Sequence, residues 1–140
     1  MSKRLLTRRL LSGLLLLALS LGNAEELSQQ HTQNSFNHLF KVSIWPAEGT
    51  TLINEYHSWI LHLEDTSGNH IQDASFAISG GMVAHGHGLP SKPIVSEYLG
   101  NGDYLIEGVL FNMSGIWTLQ FIIQTPTVSD RVRFDFEVKF

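Results

Sequence analysis

The sequence contains no cysteine, and this absence removes several classes of protein at once. Disulfide bonds, thiolate metal sites and a lipid anchor attached to a cysteine are all excluded. A cysteine nucleophile is excluded for the same reason. Any site for a soft metal ion must therefore use methionine and histidine, of which the chain has three and seven.

Basic residues are scarce after residue 24. The last 116 residues hold only five of the nine basic residues but all thirteen acidic ones, so their formal charge is −8, against −4 for the whole chain. A strongly acidic domain repels nucleic acid and anionic lipid. We therefore expect neither as a partner.

Sequence motifs of common enzymes are also missing. The chain has no Gly-x-Ser-x-Gly nucleophile turn and no phosphate-binding loop of the Gly-x-x-x-x-Gly-Lys-Ser/Thr type. The acidic pair Glu64-Asp65 falls at a predicted turn, where solvated carboxylates are ordinary. We therefore expect a binding protein and no enzyme.

Residues 1–24 have the features of a signal peptide. An apolar run of about 12 residues, at 10–21, is shorter than the roughly 20 that span a bilayer, and small residues precede Ala24. We predict cleavage after Ala24, which would make the protein periplasmic or otherwise extracytoplasmic, without stable membrane insertion after processing. An uncleaved membrane anchor is the alternative. The basic residues before the run are Lys3, Arg4, Arg8 and Arg9.

The rest of the chain predicts an all-β fold. Residues 25–37 are polar and are expected to form a flexible lead-in, and residues 38–140 a single domain. Short apolar or alternating segments separated by turn residues predict an immunoglobulin-like β-sandwich of about seven antiparallel strands. Tyr104, after a glycine turn, is either a tyrosine corner or an ordinary strand aromatic. The predicted strands are 39–45, 56–64, 74–79, 94–99, 104–111, 117–124 and 132–140.

The segment 80–90, Gly-Gly-Met-Val-Ala-His-Gly-His-Gly-Leu-Pro, is the most unusual part of the sequence. Its four glycines and its proline predict a shaped loop between the third and fourth strands. His85 and His87 are separated by one glycine, so both rings have room to turn toward one point. Met82 adds a thioether three residues before His85.

A second loop carries Met113, between the fifth and sixth predicted strands. Because strand direction reverses at each connection of an antiparallel meander, the loops after the third and fifth strands lie at the same end. The loop at 46–55 lies there too. We therefore expect Met113 near Met82, His85 and His87.

Two thioethers and two imidazoles form a ligand set suited to copper. Thioether favours Cu(I) and imidazole accepts both copper states, whereas zinc rarely takes thioether ligands. Binding requires neutral imidazole, so it should weaken below about pH 6.5. The alternative is that the histidines bond to backbone groups and the methionines fill the end of the core.

The other histidines are weaker candidates. His57 and His62 are five positions apart on one predicted strand, and an odd spacing makes them face opposite sides of the sheet. His70 follows a turn and is expected at a solvated surface position. His31 and His38 lie in or beside the predicted lead-in, where solvated side chains are expected.

These motifs together resemble the YtkA-like family of small bacterial extracytoplasmic domains, which is similar to FixH-type proteins. The resemblance rests on Met-x-x-His-Gly-His-Gly-Leu-Pro at 82–90, Gly-x-Tyr at 102–104 and Met-x-Gly-x-Trp at 113–117. It implies an immunoglobulin-like sandwich in the cell envelope, and some related proteins are associated with copper handling or cytochrome oxidase assembly. A cleavable-looking leader in place of a membrane helix argues against a direct role in oxidase assembly.

Two functions remain open from the sequence. The first is a periplasmic protein that binds copper through His85, His87, Met82 and Met113 and carries, buffers or delivers the ion. The alternative is a metal-free envelope interaction module, in which Trp45, Tyr98 and the acidic surface would contact a partner protein.

Overall fold

The computed structural model describes residues 29–139, and the predicted leader at 1–24 lies outside the described residues. Nine antiparallel strands form two sheets, which confirms the expected β-sandwich with two more strands than predicted. No described helix is long and apolar enough to cross a membrane. The strands are β1 (His31–Asn34), β2 (Phe40–Pro46), β3 (Tyr56–Asp65), β4 (Ser75–Met82), β5 (His87–Gly88), β6 (Ile94–Gly100), β7 (Asp103–Leu110), β8 (Gly115–Gln124) and β9 (Ser129–Val138).

The strand order separates the chain into a five-stranded and a four-stranded sheet. The first has the order β1-β2-β3-β7-β6, and the second has the order β5-β4-β8-β9. The connections after β3, β5 and β7 change sheets. This arrangement brings segments distant in the chain to the same end of the sandwich.

The core lies between the sheets and follows the period-two pattern of the sequence. In β9 the residues at 130, 132, 134, 136 and 138 are buried and those between them are exposed. In β3 the residues at 57, 59, 61 and 63 face inward. His57 is therefore buried while His62 faces outward, which confirms their predicted opposite orientation. The largest fully buried side chains are Trp59, Trp117, Phe111, Phe121 and Phe134.

The prediction of a flexible lead-in over 25–37 is wrong where the structure describes this segment. Residues 31–34 form β1, which pairs with β2 from His31 opposite Ile44 to Asn34 opposite Lys41. Three of its four side chains are exposed and polar. The strand is held by backbone pairing at a sheet edge, so its sequence carries no alternation of hydrophobicity that would reveal it.

Tyr104 is buried and connects to a distant segment. Its hydroxyl donates to the carbonyl of Ile71 at 2.8 Å and lies 3.2 Å from the amide nitrogen of Ala74, which donates to it. A tyrosine corner bonds a few residues upstream, whereas this bond spans 33 residues. Tyr104 therefore anchors the β3–β4 connection to β7.

Candidate metal-binding rim

Three loops meet at one end of the sandwich, which we call the rim: 46–55, 83–86 and 111–114. Register places them together, because Tyr56 pairs with Leu110 and Gly81 pairs with Thr118. The amide of Asn54 also donates to the carbonyl of Phe111 at 2.8 Å. The strand-parity argument therefore places the histidine loop and the Met113 loop at the same end.

The prediction of a shaped loop without strand over 80–90 is wrong in part. Residues 80–82 continue β4, Val83–His85 form one turn of 3-10 helix, and His87–Gly88 form β5, which pairs back onto β4. Glycine permits this close packing. A Cβ on Gly80 would collide with the carbonyl oxygen of Thr118, and one on Gly81 with that of His87.

His85 and His87 are brought together on the surface of the rim. Both are exposed, and their ring centroids are 6.0 Å apart. Two imidazoles that each give one nitrogen to the same ion, with bonds of about 2.0–2.1 Å, have centroids roughly 5 to 6.5 Å apart. The observed spacing therefore falls within the range for a shared ion.

Hydrogen bonding prepares one of these rings as a ligand. Nδ1 of His87 lies 3.1 Å from the carbonyl oxygen of Gly88. Since a carbonyl only accepts, Nδ1 carries the proton in this bond, and Nε2 keeps its lone pair. A metal-ligating histidine is commonly held by a backbone carbonyl in this way.

Trp117 connects the histidine loop to the Met113 loop. Its ring centroid lies 5.8 Å from that of His87, at an interplanar angle of 66°. Its indole Nε1 donates to the carbonyl of Met113 at 3.0 Å. The fully buried indole therefore packs against the ring of His87 and also holds the backbone of Met113.

The two methionines are placed differently. Met113 is half-buried and packs against the core from the rim. Met82 is only 2% exposed and belongs to the core itself. A Cβ on Gly115 would lie 2.7 Å from Cε of Met82, so the Met82 side chain packs closely against the start of β8.

The burial of Met82 corrects the predicted set of four rim ligands. His85, His87 and Met113 occupy the rim, whereas Met82 packs as core filler. The sequence could not distinguish these roles, because a thioether is equally suited to filling an apolar gap and to binding Cu(I).

A second group of donor side chains was missed by the sequence analysis. Atoms of His62, Glu64 and His70, one from each, lie within 4.8 Å of one another. We call these three residues the outer-face triad, because they lie on the solvent side of the five-stranded sheet. His70 is exposed, as expected, but its ring centroid is 5.2 Å from that of His62.

Two signals in the sequence could have identified this triad. His62 and Glu64 are two residues apart on a strand and therefore share a face. Asp65 then accepts hydrogen bonds from the amides of Ser67 and Asn69, which closes a turn. This turn returns the chain so that His70 bridges Glu64.

Charged neighbours surround the triad. Nδ1 of His62 lies 2.6 Å from Oδ1 of Asp103, and its Nε2 lies 3.5 Å from Oε1 of Glu64. The ammonium of Lys41, 3.1 Å from Oε2 of Glu64, holds the pKa of that carboxyl below its usual value. Glu64 is thus shared between a cation and an imidazole.

Comparison with known proteins identifies the kind of domain. A family model described as YtkA-like matches residues 42–121, from β2 into β8. The crystal structure of a DUF4426 family protein from Pseudomonas aeruginosa PAO1 superposes with a TM-score of 0.55 and 9% identity, over 79% of this chain and 95% of that one. At this identity the likeness shows the fold alone. No curated protein matches the chain.

Proposed function

Since the chain belongs to the YtkA-like family, whose model matches residues 42–121, we propose that its sandwich is an exported copper-binding domain. In this proposal His85 and His87 supply the nitrogen ligands and Met113 a thioether. The ion is cargo that the protein carries, buffers or delivers, and no reaction is catalysed. The observation that carries the proposal is the pair of exposed imidazoles, whose ring centroids are 6.0 Å apart. In His87 a backbone carbonyl sets the tautomer.

The exposure of the two histidines suits ligand exchange. A site that passes an ion to another protein must let an incoming ligand reach the metal, and neither imidazole is buried. The supporting backbone is shaped by the close contacts of β4 with β5 and β8. The rim thus combines accessible ligands with an ordered base.

The predicted leader supports a location of this site outside the cytoplasm. In an oxidising compartment thiols are converted to disulfides, whereas imidazoles and thioethers do not form them. The absence of cysteine from the chain agrees with such a site. Binding should weaken in acid, because protonated imidazole cannot bind the ion.

The test is copper binding by residues 25–140, the chain expected after leader removal, which includes the complete sandwich at 29–139. Titration against a chromophoric Cu(I) chelator should give one ion per chain, and the double variant His85→Ala/His87→Ala should lose it. Val83→Ser is the matched control, because Val83 is exposed on the same 3-10 turn and has no metal ligand. A double variant that binds copper as tightly as the parent would overturn the proposal.

One observation favours the alternative of a metal-free interaction module. The outer strand β6 exposes Ile94, Tyr98 and Leu99 by 61%, 37% and 48%. A partner strand could add to this edge. However, its pairing with β7 shifts register twice, and bulges of this kind disfavour edge-to-edge pairing.

Thermal stability distinguishes the two functions. A ligand that binds the native state raises the melting temperature, by an amount that grows with the ratio of free ligand concentration to Kd. The copper proposal therefore requires that the parent melts at a higher temperature with stoichiometric copper and that the double histidine variant does not. An interaction module without a metal site predicts no change in either protein.

A further inference from the structure

We propose that the outer-face triad of His62, Glu64 and His70 is a second metal site, for a zinc-like divalent cation, at the end of the sandwich opposite the rim. It does not depend on the copper proposal. Register separates the two places: His62 pairs with Asp103 at the start of β7, while the rim begins after Leu110 at its end. Seven residues of strand correspond to about 23 Å.

The spacing of the donor atoms fits a tetrahedral ion. With metal–ligand bonds of about 2.1 Å, two ligands of a tetrahedral site lie about 3.4 Å apart. Nε2 of His62 and Oε1 of Glu64 are 3.5 Å apart. The His70 donor completes the group within 4.8 Å, and its exposed ring can close the remaining distance by rotation.

Asp103 orients His62 for this role. The 2.6 Å contact between its carboxylate and Nδ1 of His62 places a proton on Nδ1, so Nε2, which lies 3.5 Å from Oε1 of Glu64, is the nitrogen left for an ion. A carboxylate that holds the distal nitrogen of a ligating histidine is the common supporting contact of zinc sites. Asp103 is thus a positioning residue.

The backbone is built to bring the two imidazoles together. Gly102 has a φ of +82°, and a Cβ there would lie 2.8 Å from the carbonyl oxygen of Leu63 and 3.3 Å from both Cε1 of His62 and Cβ of His70. The amide of Leu63 donates to the carbonyl of Gly102 at 2.9 Å. The β6–β7 turn therefore packs directly against His62 and His70.

Donor chemistry and charge select the ion. Two imidazoles and a carboxylate are ordinary zinc ligands, and this triad has no thioether to favour Cu(I). With neutral histidines, Glu64 and Asp103 carry two negative charges against the one positive charge of Lys41, so the cluster has a formal charge of −1. A divalent cation would compete with Lys41 for Glu64 and leave a fourth position for water.

The test is a Zn²⁺ titration of residues 25–140, in which the NMR signals of the histidine Cε1–H groups report binding. We expect the His62 and His70 signals to shift together at one equivalent. His70→Ala should lower the zinc affinity at least about tenfold, and Asp103→Asn about tenfold. His85→Ala/His87→Ala is the matched control and should leave this binding unchanged.

Lys41→Met separates a metal site from an ion-pair network. Removing the competing ammonium frees the Glu64 carboxylate, so a metal site should bind zinc about three- to tenfold more tightly. Unchanged affinity in Lys41→Met, together with unchanged affinity in His70→Ala, would overturn the proposal. Both side chains are substantially exposed, so neither substitution should prevent folding.

Discussion

At the scale of single residues, one imidazole ring in each candidate site is oriented by specific contacts. His87 is held by the carbonyl of Gly88 and by an edge-to-face contact with Trp117, and His62 is held by Asp103. These contacts set which nitrogen is available to an ion. They matter more than the mere presence of histidine, which the chain has seven times.

The two methionines near the rim should respond differently to substitution. Met82→Ala should lower the free energy of unfolding by about 2–5 kcal/mol, because it empties a buried site. Met82→Leu should cost less than about 1.5 kcal/mol, because it conserves volume, and should keep copper affinity. Met113→Ala should weaken Cu(I) affinity with a smaller loss of stability. Denaturant unfolding and Cu(I) competition measure both quantities, and a loss of copper affinity in Met82→Leu would contradict the packing role.

At the scale of elements, Asp130 joins the two sheets. Its buried carboxylate accepts hydrogen bonds from the amides of Asn37 and Leu39 in the β1–β2 turn and from that of Arg131 in β9. Burial alone would raise the pKa of Asp130, but the hydrogen bonds from Ser35, Arg131, Asn37 and Leu39 together hold that pKa below its usual value. The turn of a polar hairpin is thereby attached to the opposite sheet.

This attachment predicts a pH-dependent contribution to stability. Because the pKa of Asp130 is lower in the folded chain than in the unfolded chain, its contribution is complete above the unfolded pKa, near 3.9, and is lost as pH falls through the folded pKa. Asp130→Asn should remove this part of the acid dependence. Its free energy of unfolding at pH 7 should also fall by about 2–3 kcal/mol, through loss of charge-assisted hydrogen bonds.

Urea unfolding at several pH values measures this effect. Asp135 also has a lowered pKa, chiefly through its hydrogen bond with Arg133, but it is largely exposed. Asp135→Asn is therefore the matched control and should change the acid dependence much less. Equal effects of the two substitutions would show that Asp130 does not connect the sheets in this way.

At the scale of the whole molecule, the sandwich separates two kinds of donor set. The rim offers two imidazoles and a thioether, and the opposite end offers two imidazoles and a carboxylate. Since strands of both sheets contribute to one core, an ion at either end stabilises the same folded state. Each site therefore reports on global unfolding.

The separation predicts that the two ions act independently. Groups more than about 10 Å apart without shared partners usually contribute additively to stability. The rise in melting temperature with one equivalent each of copper and zinc should therefore equal the sum of the separate rises. Differential scanning calorimetry checks this, and each rise should disappear only in the variant of its own site. A competitive pattern would indicate one shared site.

The alternation of apolar residues predicted most of the sandwich correctly. In β3 and β9 every second residue is buried, and the turn residues separated the seven predicted strands. Strand parity then placed Met113 at the same end as the histidine loop. These features depend on the local alternation of apolar and polar residues and on strand direction. Both can be inferred from the amino-acid sequence.

The identity of the amino acids by itself determined that the fold is an all-β sandwich, that no thiol takes part and which side chains are available to a metal. Only the tertiary structure decided that β1 is a strand, that Met82 points inward and that His70 returns to His62 and Glu64. The physical reason is that edge pairing, burial of an ambivalent side chain and contacts across a turn depend on neighbours supplied by other strands, and local sequence does not encode those neighbours.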